Sequence, residues 1–138
     1  MNTSKIIGLS YDLKKDYLVE GYTEEEAAEF DSEDTIEGIE RAISNYGCKT
    51  ERIGNFKNLV TQVAKGKRWD LVFNICEGMY GLGREAQVPA LLDAYRIPYT
   101  FSDPLMLSLT LHKGYTKQVI KDFGIPTAPF LIINEPRI

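Results

Sequence analysis

Asp70-Leu-Val-Phe-Asn-Ile-Cys-Glu-Gly-Met-Tyr-Gly-Leu-Gly-Arg-Glu-Ala-Gln87 decides the reading of this 138-residue chain. Leu71, Val72 and Phe73, continued past Asn74 by Ile75 and Cys76, form a short apolar run. Its length and side chains suit a strand buried on both faces of a parallel sheet. Gly78, Gly81 and Gly83 then open a loop, and residues 85–95 read as a helix, with Pro89 near its first turn, where proline costs least. Ala86, Ala90, Leu91 and Ala94 are the expected inner face. A strand, a glycine loop and a helix in that order build sites at the carboxyl edge of open α/β sheets. Glu77 stands at the mouth of the loop, where a carboxylate can face a ligand. The glycine order fits neither the dinucleotide fingerprint nor a P-loop, so a substrate-side loop is expected rather than a phosphate cradle.

Outward from this stretch, strands and helices alternate. Ile6, Ile7 and Leu9 mark a first strand ending at Ser10. Residues 11–30 show no clean period and read as a long connection. Asp31 or Ser32 caps a helix whose inner face is Ile36, Ile39, Ala42, Ile43 and Tyr46, stopped by Gly47. A weaker strand over 48–53 follows, then a helix over 55–64 with Phe56, Leu59, Val60 and Val63 inward. After the central stretch come a short fourth strand over 97–101, a helix capped by Asp103 with Pro104 at its first position, a helix over 110–123, and a strand-like run over 130–133. Alternation with short connections means parallel strands and right-handed crossovers. The expected architecture is a three-layer, Rossmann-like α/β domain with a mainly parallel sheet of about four strands. It occupies 1–104, and 105–138 begins a second domain. Asn134-Glu135-Pro136 follow the last run with no helix to cover it.

Composition bounds the function. The chain is 43% hydrophobic and 26% charged, with a formal charge of −4, which argues against nucleic acid as partner. No apolar run reaches the length of a membrane span, and no signal peptide is visible, so a cytoplasmic protein is expected. Cys48 and Cys76 lie in separate apolar runs and read as buried free thiols. His112 is the only histidine, and no metal-ligand spacing appears within the chain. Half of the acidic residues fall between Glu20 and Glu40, a span without Lys or Arg. Such a run is ordinarily a solvated face, with metal binding as the minority reading. Trp69 reads as packing, and Lys117 as a surface charge.

Four further features carry a resemblance: Asp70-Leu-Val-Phe leading to Glu77-Gly78-x-x-Gly81 and Gln87; Ile97-Pro98-Tyr99-Thr100-Phe101-Ser102; His112-Lys113 followed by Lys117; and Phe123-Gly124-Ile125-Pro126-Thr127-Ala128-Pro129-Phe130. In order and spacing, residues 70–133 resemble D-alanine–D-alanine ligases and their ATP-grasp relatives. The resemblance implies an ATP-dependent carboxylate–amine ligase working through an acylphosphate, in a cytoplasmic, peptidoglycan-related setting. ATP and Mg2+ are implied for the full-length enzyme, with none bound to this chain alone. It also implies that the chain is the N-terminal domain and the start of the central one. Most of the nucleotide site and the metal-binding carboxylates would then lie beyond Ile138, and the isolated chain would be inactive. Ile7-Gly8-Leu9-Ser10-Tyr11-Asp12 corresponds to the family's Gly-Gly-x-Ser-x-Glu, which makes Asp12 the carboxylate toward the substrate's ammonium group. Glu77-Gly78 replaces the family's His-Gly, and Leu82-Gly83-Arg84 its Glu-Asp-Gly. Asp12, Glu77 and Gly78 are thus the expected substrate-binding residues, and Lys113 the nucleotide-binding one. The departures fall on the substrate side. The implied partners are an amino acid or another carboxylate or amine substrate, and a second copy in a homodimer. The rival reading is a self-sufficient binding module of flavodoxin or receiver type. Against it, the first strand lacks clustered acids and no flavin phosphate loop is visible.

Overall fold

Ile7, Leu9, Tyr11 and Leu13 alternate with Ile6 and Gly8, and this two-residue period sorts the core into two layers on opposite faces of one sheet. The structure, a computed structural model, describes residues 4–133. Strand β1 (Ile6–Ser10) lies at the centre, with β2 (Lys49–Gly54) on one side and β3 (Leu71–Asn74) on the other, all parallel. Helix α2 (Glu33–Asn45) covers one face, where Ile36, Ile39 and Ile43 pack on Ile7, Leu9 and Tyr11. Helices α3 (Phe56–Ala64) and α4 (Gln87–Ala94) cover the other, where Leu59, Val63, Val88 and Leu92 pack on Ile53, Trp69 and Val72. This is the expected Rossmann-like three-layer arrangement. Among the described residues no helix is long and apolar enough to cross a membrane.

The fourth strand shrinks to one bridge. Tyr99 pairs in parallel with Val72; the Val72 amide donates to Pro98 O at 2.8 Å and the Thr100 amide to Val72 O at 3.0 Å. Phe101 then takes a φ of +73°, which ends extended backbone at once. The three-stranded sheet therefore replaces the expected four.

Ser32 and Asp103 cap helices as the sequence implied, and Asn55, expected inside its helix, is a third cap. Ser32 Oγ accepts from the Thr35 amide, Asn55 Oδ1 from Asn58, and Asp103 Oδ1 from Met106, with Pro104 opening α5 (Pro104–Leu111). Other expectations are corrected. The connection over 11–30 contains a helix, α1 (Lys14–Val19), on which Tyr17 packs with Ala27 and Phe30. Tyr46 and Val60 are exposed rather than inward, as are Ala42, Ala90 and Ala94. In α4 the phase differs because a 3-10 turn (Arg84–Ala86) precedes it, and Val88, Pro89 and Leu92 face inward. The helix expected over 110–123 is broken at His112: α6 (Lys113–Asp122) begins where His112 Nδ1 accepts from the Tyr115 amide. Residues 130–133 form no strand. Instead the segment folds back on α6, with Lys117 Nζ donating to Ala128 O at 3.3 Å and standing 5.4 Å from the Phe130 ring centroid. Lys117 is thus a tether, not a free surface charge. Asn134-Glu135-Pro136 lie outside the described residues.

Candidate functional site

At the carboxyl edge of the sheet a buried polar seam joins the ends of β1 and β3. Ser10 Oγ donates to Asn74 Oδ1 at 2.8 Å, and the same oxygen accepts from the Cys76 amide at 3.3 Å. Ser10 and Asn74 are both buried. Thr100 Oγ1 accepts from the Asn74 amide at 3.1 Å, so the rudimentary fourth strand joins the seam. The seam fixes how both chains leave the sheet.

Asp12 follows two residues beyond β1 and is only 2% exposed. The Tyr17 hydroxyl donates to its Oδ1 at 2.5 Å, and the amides of Glu77 and Gly78 donate to its Oδ2, each at 2.9 Å. The Asp12 carbonyl accepts from the Asp31 amide at 2.9 Å. Three loops therefore meet at this residue. A carboxylate deep in protein requires such donors, because an unpaired buried charge is costly. Burial and the adjacent Asp12 carboxylate push the Tyr17 hydroxyl far above the usual phenol range, so it stays a donor. Burial, and then the Asp12 charge, also raise the Asp31 carboxyl and, more strongly, the Cys76 thiol.

The glycine loop closes on itself. Gly78 sits at φ +69°, and a Cβ there would come within 2.7 Å of Arg84 O, so only glycine fits. Met79 packs beside Tyr17, Ala27 and Phe30; the Tyr80 hydroxyl lies 2.9 Å from that of Tyr22; and Arg84 donates to Glu29 at 2.6 Å. The Glu77 carboxyl is half-buried, and burial raises its pKa, helped by the charge of the neighbouring Glu85. Gly83 abuts Ser108 of α5, which carries the chain from the loop toward Lys113.

The structure thus brings Asp12, Glu77 and Gly78 together, although Asp12 meets the other two through their backbone amides. Lys113 is exposed at the first position of α6, away from this seam in sequence and on a separate helix. The acidic span is a solvated face, as expected, laced with ion pairs: Lys14 bonds Glu24 and Arg84 bonds Glu29 at the surface, and Arg52 bonds the half-buried Glu33 and Glu40. Among the described residues no three His, Cys, Asp or Glu side chains form a group able to hold a metal ion. Trp69 packs in the core, its Nε1 donating to Glu51 at 2.8 Å. Tyr17 and Asn74 were missed as site residues. Asn74 had a signal, a polar residue interrupting an apolar run, whereas Tyr17 had none.

No family model matches the chain. A D-alanine–D-alanine ligase of Xylella fastidiosa is 40% identical over 75 residues, covering 54% of this chain and 25% of the ligase. That of Carboxydothermus hydrogenoformans is 32% identical over 100 residues, covering 72% of this chain and 31% of the ligase. That of Parvibaculum lavamentivorans is 31% identical over 96 residues, 70% of this chain and 30% of the ligase. The chain spans less than a third of the length of each of these relatives. Over the parts it shares with them, the chain is D-alanine–D-alanine ligase-like.

Proposed function

We propose that this chain is the substrate-side portion of a cytoplasmic, ATP-dependent carboxylate–amine ligase, with Asp12, Glu77 and Gly78 on the substrate side and Lys113 on the phosphate side. One observation carries the reading: in a ligase-like chain, the loop after β1 and the glycine loop after β3 are joined through Asp12 at the carboxyl edge of a parallel sheet. Residues 105–138 are read as the start of a second domain. When bound, ATP supplies the phosphoryl group that converts a substrate carboxylate to an acylphosphate open to attack by an amine. In this reading Lys113, at the first position of α6, contacts phosphate, and the other nucleotide and Mg2+ contacts come from the parts of such a ligase that this chain does not span.

What its own residues do is narrower. The half-buried Glu77 carboxyl, held next to Glu85, offers an amine a hydrogen-bonding partner whose charge depends on what binds. Lys113 neutralises phosphate charge as a point cation. The substrate is an amino acid or a related amine. Glu77 in place of histidine and Leu82-Gly83-Arg84 in place of Glu-Asp-Gly support an acceptor other than D-alanine. A homodimer belongs to the same proposal and is checked by sedimentation.

The test is phosphate release from ATP and Mg2+ across a panel of amino acids. It is run on this chain and on a version extended by the coding sequence after Ile138. The chain alone is expected to be silent and the extended protein active, with Lys113→Ala raising KM for ATP about tenfold and Lys117→Ala leaving it unchanged. An extended protein without amino-acid-stimulated phosphate release refutes the ligase reading.

A further inference from the structure

We propose that Asp12 is a positioning residue, an internal anion seated in a carboxylate-sized nest whose walls are the Tyr17 hydroxyl and the amides of Glu77 and Gly78. Removing the side chain opens a site for a small free carboxylate. Three hydrogen-bond donors converge on one buried carboxylate, at 2.5, 2.9 and 2.9 Å. Two successive amides turned toward one oxygen, with the second residue at positive φ, are the geometry by which backbone binds anions. Here the anion comes from the chain itself, across 65 and 66 residues of sequence.

The consequence for the glycine loop follows from its own packing. The Asp12 bonds fix the peptide groups of residues 77 and 78, and Gly78 lies against Arg84 O, so Asp12 sets where the turn from Glu77 to Arg84 begins. The point from which the Glu77 side chain leaves the backbone is set with it. The amides of Met79 and Gly81 have no backbone acceptor among the described hydrogen bonds; Asp12 holds the start of the loop, while Gln87 Nε2, donating to Tyr80 O at 2.9 Å, holds its tip. Asp12 therefore acts on a substrate through Glu77 rather than by touching it. That last clause rests on the ligase reading above; the nest does not.

The experiment measures thermal unfolding of the 138-residue chain with sodium formate or with sodium chloride at equal ionic strength. Asp12→Ala is expected to melt about 10 °C below the wild type, and about 200 mM formate to return about 5 °C of that loss, with chloride returning none. Wild type and Asp12→Asn, whose nests stay filled, should show no formate-specific shift. A folded Asp12→Ala protein that formate does not stabilise overturns the proposal. If Asp12→Ala does not fold, amide hydrogen exchange of the wild type decides instead. Glu77 and Gly78 are expected to exchange at least about a hundredfold more slowly than Met79 and Gly81, and equal rates among the four overturn the nest. Neither readout depends on ligase activity, so failure here and failure of the functional reading are separable.

Discussion

Gly8→Ala tests the packing that centres the sheet. A Cβ built on Gly8 would lie 2.5 Å from Ile53 Cδ1, 3.0 Å from Trp69 Cγ and 3.1 Å from Trp69 Cδ1. Two opposing terms decide the outcome. Replacing a strand glycine by alanine gains about 0.5–1 kcal/mol from the unfolded chain's lost freedom. Overpacking a filled core costs about 1–3 kcal/mol. A contact of 2.5 Å against a methyl in a layer where Ile53 is 4% and Trp69 5% exposed puts the clash at the upper end of that range. The expected net loss is about 2 kcal/mol, or about 6 °C in Tm for a chain of this size. Ile53→Val removes the closest atom and by itself costs about 1 kcal/mol. The double variant should then recover at least about 1 kcal/mol relative to the sum of the single changes, while the rigid indole keeps part of the penalty. The assay is urea unfolding followed by fluorescence of the single tryptophan, Trp69, which lies at the perturbed contact. Additivity within about 0.5 kcal/mol would refute the claim that Gly8 is required by Ile53.

Glu77→Gln is expected to stabilise the fold at pH 7. The folded-state pKa of Glu77 is raised by burial and by Glu85, so the folded form binds its proton more tightly than the unfolded form, and stability falls as pH rises through that raised value. The glutamine variant should be flat across that window in urea titrations, and a variant that falls with pH as the wild type does contradicts the assignment. Arg52→Ala should act in the opposite window. Hydrogen bonds from Arg52 hold Glu40 low, and Arg52 shares with Lys15 the lowering of Glu33, so this stabilisation is present above the ordinary glutamate range and lost as acid protonates the pair. Being largely exposed, the network should yield only a shallow, salt-sensitive loss in acid titrations, and a salt-independent loss would argue against ion pairing. Cys76, buried and with its thiol raised by burial and by Asp12, should resist disulfide reagents until the chain unfolds, whereas half-buried Cys48 reacts first; mass spectrometry after brief labelling distinguishes them.

Much of the fold was legible because its signals are local. The apolar run at Leu71–Asn74, the caps Ser32 and Asp103, and the alternation of periods are read from neighbours in sequence. What failed depends on distant partners or on single backbone angles. The fourth strand looked adequate in composition, yet Phe101 at positive φ ends it after one bridge. The inner face of α4 was assigned from its alanines, but the preceding 3-10 turn sets the phase. Glu77 and Asp12 were legible as carboxylates at adjoining loops. That they meet through backbone amides, with Tyr17 as third donor, requires a geometry that no spacing encodes.

The central place of β1 also dictates an order of assembly. Ile6 pairs with Lys49 and Ile7 with Leu71, so β1, which precedes both its neighbours in the chain, has two open edges and neither neighbour until much of the chain has followed. One edge closes when β2 emerges, the other only with β3, and the Asp12 junction last, once Gly78 is available. Each closure spans a long loop and is slow relative to local helix formation. Through that interval Ile-Ile-Gly-Leu is an exposed template for pairing with other chains. Chains truncated before residue 71 should therefore be the aggregation-prone species.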